Sequence, residues 1–297
     1  MKKYNYTTIY FKTTKVDNLN IFYREAGVGN PQTILMLHGF PSSSHMYRNL
    51  IKELASRYHV VAPDYPGFGM SSCPSPSEFS YNFDHLAEVM EKFTVRLNLS
   101  AFNLYMHDYG GPVGFRIAVK HPEWIQSLII QNANVYEDGL GPDVQFIGQL
   151  EQSGDTEGLK KAVEFMLSQE GIKQQYTYGA LNPEIISPDA YLMDHFFMER
   201  HGIKAIQSIL FQNYSTNFPQ YPLWQNYLRT YQPHALVLWG KNDKIFIAPG
   251  AEAYRKDLKE VEIHLLDGGH FVQEEQFELM AIQIDEFLTR KYAKQAY

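Results

Sequence analysis

The stretch "FNLYMHDYGGPVGFRIAVK", residues 102–120, decides the fold. A β-prone lead-in, "FNLYMH", gives way to Asp108, Tyr109 and two glycines, and then to an apolar, helix-like run. A strand that turns sharply into a helix needs small residues at the turn, and such an elbow pushes one side chain out above the sheet. The exposed position normally holds a serine; here it holds Asp108. Met106 occupies the position two residues earlier, which such turns usually keep small.

Outward from this unit, short β-rich runs alternate with amphipathic stretches. "TILMLH" (33–38), "YHVVAPD" (58–64) and "SLIIQN" (127–132) read as strands, separated by helical patterns such as "HMYRNLIKELASRY" and "FDHLAEVMEKFTVRLN". Alternation at this spacing implies parallel βαβ units in an open sheet. The first runs, "YTTIYFKT" and "NLNIFYREA", read as an antiparallel edge pair. From 134 to 230 the strand signals stop, and the chain is helical or irregular with breakers at "GLGP", "QSGDTEG", "LNPE" and "SPDA". The alternation resumes with "HALVLWG" (234–240), "VEIHLL" (261–266) and a final amphipathic helix. The expected organisation is an α/β core from 1–133 and 231–297, interrupted by a helical lid over 134–230. That lid belongs over the C-terminal ends of the strands, where open α/β sheets bind ligands.

Composition narrows the function classes. The 297 residues carry a net charge of −7, so no basic footprint for nucleic acid or anionic membrane is present. The single cysteine, Cys73, excludes an internal disulfide and fits a reducing compartment. "MKKYNYTTIYFK" lacks an apolar signal core, and no apolar run approaches the ~18 residues of a membrane helix. A soluble, cytoplasmic protein is expected. Oligomeric state is left open.

Three further motifs fall at strand ends. "LHGFP" (37–41) places the backbone N–H of Phe40 beside the elbow, where it and the N–H of Tyr109 form an oxyanion hole. The Phe40–Pro41 bond is a candidate for the cis isomer. "WGKNDKIF" puts Asp243 shortly after one strand, and "LLDGGHFVQEE" puts His270 after the last. The chain order Asp108, Asp243, His270 is therefore nucleophile, acid, base. Glu137 and Asp138, after the preceding strand, are the alternative acids. His38 and His107 read as neighbours that shape the backbone; His45, His195 and His201 read as surface or lid residues. No HExxH or Cys/His cluster implies a metal, and "PGFG" (66–69) lacks the lysine of a phosphate loop.

The motifs "HGFP", "DYPGFGMSS", "HDYGGPVG", "WGKND" and "GGHF" resemble those of the α/β-hydrolase superfamily. Within it they are similar to the Asp-nucleophile branch of epoxide hydrolases and haloalkane dehalogenases. The resemblance covers about 20–133 and 231–290.

An aspartate nucleophile selects the reaction. Attack on an acyl carbon would give a mixed anhydride, whereas attack on a saturated carbon bearing a leaving group gives an ordinary ester. Esterase, lipase and peptidase activity are disfavoured. The resemblance implies that Asp108 becomes an alkyl ester and that His270, oriented by Asp243, activates the water that hydrolyses it. The substrate is then a small apolar electrophile and water the co-substrate, with no cofactor.

The resemblance also separates the two chemistries. Dehalogenases hold halide with a tryptophan after the nucleophile and a second N–H donor, where this chain has Tyr109 and, after the His-Gly, Phe40. Fluoroacetate dehalogenases carry an arginine after the nucleophile, and this chain does not. Epoxide hydrolases protonate the ring oxygen with lid tyrosines, and "LFQNYSTN" nominates Tyr214 as one. The segment expected to hold the other, "FIGQLEQSG", has no tyrosine, which leaves Tyr136, Tyr176 and Tyr178 unranked. Epoxide hydrolysis is thus the leading expectation, haloalkane dehalogenation the second, and a catalytically silent scaffold binding a small hydrophobic molecule the third.

Overall fold

The computed structural model describes residues 7–295. The first six residues, which begin the stretch read for a signal peptide, and the last two lie outside the described residues. Eight strands form one sheet: β1 (Ile9–Val16), β2 (Leu19–Ala26), β3 (Thr33–Leu37), β4 (His59–Pro63), β5 (Phe102–His107), β6 (Ile125–Gln131), β7 (Ala235–Gly240) and β8 (Val261–Leu266). Their spatial order is β1-β2-β4-β3-β5-β6-β7-β8. β1 pairs antiparallel with β2, as expected of the edge pair, and β2 pairs antiparallel with β4. All other neighbours are parallel.

Burial explains the pattern. Every residue of β5 and of β7 is buried, which suits continuous apolar runs covered by helices on both faces. β8 at the edge is largely half-exposed. The first helices of the core are α1 (Arg48–Leu54), α2 (Phe83–Arg96) and α3 (Gly110–Lys120). Asn82 caps α2 by accepting from the His85 N–H at 2.8 Å, and Phe83, Leu86, Met90 and Phe93 form its buried stripe.

Between β6 and β7 come six helices: α4 (Pro142–Ser153), α5 (Thr156–Met166), α6 (Gln169–Thr177), α7 (Pro188–Met198), α8 (Ile203–Asn213) and α9 (Tyr221–Tyr231). The strand alternation stops where the sequence implies. Short α10 (Pro249–Ala253) and long α11 (Gln273–Gln295) complete the core, with α11 packed on α1 and α2 on α3. Arg116 of α3 fastens the helical segment to the core. Its guanidinium donates to Asn217 at 2.8 Å and lies 5.4 Å from the centroid of the Trp224 ring. Among the described residues, no helix is long and apolar enough to cross a membrane.

Candidate active site

Asp108 is the first residue past β5, with φ +49°, a conformation that a non-glycine residue adopts only under strain. Close packing holds it there. A Cβ on Gly110 would lie 2.2 Å from the Leu37 carbonyl oxygen, and one on Gly39 would lie 2.4 Å from the Asp108 Cβ. The large Met106 fits because Gly114 faces it: a Cβ there would meet the Met106 sulfur at 2.5 Å. The elbow therefore takes its small residue one turn into α3 rather than before the aspartate.

Asp108 Oδ1 accepts from the Phe40 N–H at 2.7 Å. The Tyr109 N–H stands at the start of α3, where the positive end of the helix also favours an anion. Burial nonetheless dominates and pushes the Asp108 pKa up to about 6, against the pull of His270 and the two N–H groups. The Phe40–Pro41 bond is cis, the isomer for which it was a candidate.

His270 sits past β8 with its Nδ1 2.7 Å from Asp243 Oδ2. A carboxylate can only accept, so Nδ1 carries the proton and the lone pair of neutral Nε2 points the other way. Nε2 lies 3.8 Å from Asp108 Oδ2, too far for a direct hydrogen bond, and has no partner. Burial disfavours the imidazolium, but Asp243, helped by Asp108, outweighs it and leaves the His270 pKa above its ordinary value. Of the three candidate acids, Asp243 is the one that reaches His270. Glu137 and Asp138 are exposed, and Asp138 pairs with Lys256 at 2.7 Å.

A cavity of about 650 Å³ opens on this cluster. Asp108, Tyr109, Asp243 and His270 line its floor, while Phe146, Phe165, Tyr214 and Phe218 line it from the helical segment. The walls are mostly apolar, as small-molecule pockets are. Chemically, the floor offers a carboxylate with one oxygen held by the Phe40 N–H and the other facing an oriented imidazole.

Residues 32–277 match the family described as alpha/beta hydrolase fold. This chain belongs to that family. An uncharacterized hydrolase of Saccharomyces cerevisiae is 40% identical over 263 residues, covering 87% of this chain and 89% of its own. Epoxide hydrolase 2 of Caenorhabditis elegans is 24% identical over 296 residues, covering 94% and 79%. Haloalkane dehalogenase 2 of Mycobacterium tuberculosis is 38% identical over 112 residues, 38% of each chain.

In this α/β hydrolase Tyr214 reaches the same cavity as Asp108, its ring centroid 5.7 Å from that of Tyr109. Burial and the neighbouring Tyr221 raise its pKa well above the ordinary value, so it keeps its proton. The other tyrosines differ in place. Tyr136 donates to Asp257 at 2.7 Å, and Tyr176 is bonded to Asp194; neither lines the cavity. Tyr178 lines it but is 47% exposed, with Lys244 over its ring. The Tyr109 hydroxyl, by contrast, is buried without a partner.

The remaining histidines take quieter places. Burial lowers the His38 pKa to about 3, and its Nε2 accepts from the Tyr65 N–H at 3.2 Å. His107 is buried and also held neutral, its ring 4.6 Å from that of His270. His45 and His195 are half-buried and His201 exposed.

Two residues escape a motif-based reading. Asn132, with φ +40° at the end of β6, donates to Asp243 Oδ2 at 2.8 Å and accepts from the Gly240 N–H at 2.9 Å. A polar pair ending an apolar strand ("IIQN") was the available signal. Asp194 of α7 accepts from Ser42 Oγ at 3.1 Å and from the Tyr176 hydroxyl, and the Tyr176 ring stacks on Phe271 at 3.9 Å. Nothing local in "YLMDHFF" announces that role.

Proposed function

We propose that this hydrolase opens small apolar epoxides through a covalent ester on Asp108, with the helical segment 134–230 acting as a cap. The observation that carries the reading is the Asp108 carboxylate itself: one oxygen held at 2.7 Å by the Phe40 N–H, the other facing the unpartnered Nε2 of His270. Asp108 Oδ2 attacks a ring carbon, the C–O bond breaks, and Tyr214 protonates the departing oxygen. Water then attacks the carbonyl carbon of the ester. His270 takes its proton, Asp243 stabilises the imidazolium, and the N–H groups of Phe40 and Tyr109 hold the oxyanion. Collapse of this intermediate, with the proton returned from His270 to the leaving alkoxide, releases the diol and leaves Asp108 as the acid; its proton passes to the Tyr214 phenolate, which restores both the carboxylate and the phenol.

Dehalogenation is the second reading. The partial match to a haloalkane dehalogenase favours it, as does the unpartnered hydroxyl of Tyr109, next to Asp108. A cytoplasmic setting accords with the lone, exposed Cys73.

Intact-protein mass spectrometry of a His270→Ala variant separates the readings. An adduct equal to the whole epoxide mass, mapped to Asp108, supports epoxide opening. An alkyl adduct from bromoalkanes alone moves the assignment to dehalogenation. No adduct from either class sinks the covalent mechanism.

A further inference from the structure

Among the described residues, three that line the cavity have buried side-chain polar atoms without a hydrogen-bond partner: Tyr109, His270 and Gln175. The first two flank Asp108 and belong to the chemistry already described. Gln175 does not. It projects from α6 in the helical segment, is only 7% exposed, and leaves both its carboxamide oxygen and its nitrogen unpaired. A buried amide left without a partner has lost its hydrogen bonds to water and gained none in return. An isosteric leucine or methionine would avoid that penalty and would match Phe146, Phe165 and Met166 on the same side of the cavity.

We infer that Gln175 is a polar anchor for substrate, and that the substrate is an electrophile whose far end carries a neutral group able both to accept and to donate a hydrogen bond, such as a primary carboxamide. This rests on the reading of Asp108 as the nucleophile and replaces a wholly apolar substrate by one with a polar end. The carboxamide of Gln175 offers one donor and one acceptor side by side, the complement of another primary amide. Its helix is firmly placed: the next residue, Tyr176, stacks on Phe271 at 3.9 Å and is bonded to Asp194. Tyr176 thereby ties this point of α6 to the segment that carries His270. The partly polar substrate is held at two points, and the distance between them selects chain length. A site built to hydrogen-bond a substrate group rejects the analogue lacking it far more strongly than an apolar wall rejects an extra methylene.

The test uses the full-length enzyme and a homologous series of terminal epoxides and bromoalkanes. Each member ends either in a primary carboxamide or in an isopropyl group of the same shape. In the wild type, kcat/KM for the best-matched carboxamide probe is expected to exceed that of its isopropyl twin by about tenfold to a hundredfold. Gln175→Leu and Gln175→Met are each expected to collapse that ratio towards one. Wild-type selectivity is measured independently of either variant, so a misfolded variant does not shelter the idea. Turnover of both ends at equal rates in the wild type overturns the anchor while leaving Asp108 as nucleophile. A preference that survives both substitutions also overturns it. Alkylation of Asp108 by no probe at all removes the functional reading and the anchor together.

Discussion

The strand-end loops and the helical segment build opposite halves of one cavity by different means. Asp108, Asp243 and His270 stand on loops that follow strands, and each is held by backbone groups or by a neighbouring loop. Every residue of β5 and β7 behind them is buried, whereas α4 has no buried residue and α5 has only Val163. Phe146 of α4 and Phe165 of α5 line the cavity yet remain 53% and 45% exposed. A wall with so little buried contact opens at low free energy, while the floor shares the stability of the sheet. The strand-end half carries Asp108, Asp243 and His270, and the helical half carries Tyr214 and the apolar walls.

Breaking the rigid half should have the largest effect. Asp108→Ala is expected to abolish both covalent labelling and turnover, a loss on the order of a millionfold as when a catalytic nucleophile is deleted. Residual ester formation would move the nucleophile elsewhere.

Tyr214→Phe asks whether the soft half takes part in chemistry. Removing its proton should slow epoxide opening about a hundredfold or more and spare displacement of bromide. Equal effects on both substrates would reduce Tyr214 to packing.

Asn132→Ala should slow hydrolysis of the ester by roughly tenfold to a hundredfold, the loss of one hydrogen bond to a buried carboxylate. The alkylation step should be little changed in single-turnover measurements. A loss confined to alkylation would contradict the positioning of Asp243 by Asn132.

The gentlest probe is pH. Asp108 attacks only as the carboxylate, and its pKa is raised to about 6. Alkylation should therefore hold at neutral pH and fall roughly tenfold per unit below that value. His270 acts only when neutral, and Asp243 raises its pKa above the ordinary value. The hydrolytic step should thus fail first on acidification, so that ester accumulates in rapid-quench samples at mildly acid pH. A hydrolytic rate that stays flat while alkylation falls would reverse the assignment.

Legibility in the sequence followed the same division. The edge pair, the parallel strands and the points where alternation stops and resumes were readable because burial imposes a local period on each element. The meeting of Asp108, Asp243 and His270 at one place was readable because each sits next to glycines or a strand end that mark a turn. The tyrosines of the helical segment were not: Tyr136, Tyr176 and Tyr178 look alike in sequence, and only packing puts two of them away from the cavity and one on its rim. Asp194 and Gln175 were equally silent, since their surroundings depend on partners far along the chain or on the lack of any partner, and Asn132 left only the polar end of an apolar strand as a trace.

The sequence alone determined the α/β architecture, the order of the three site residues and the preference of a carboxylate for a saturated carbon. Those follow from local turn geometry and functional-group chemistry. Tertiary structure alone decided that Asp243 rather than Glu137 or Asp138 meets His270, that Gly114 makes room for Met106, and that Gln175 stands unpaired in the cavity wall. Each of these is a contact between segments distant in the chain, and local sequence carries no record of which distant atoms fill or leave empty the space around a side chain.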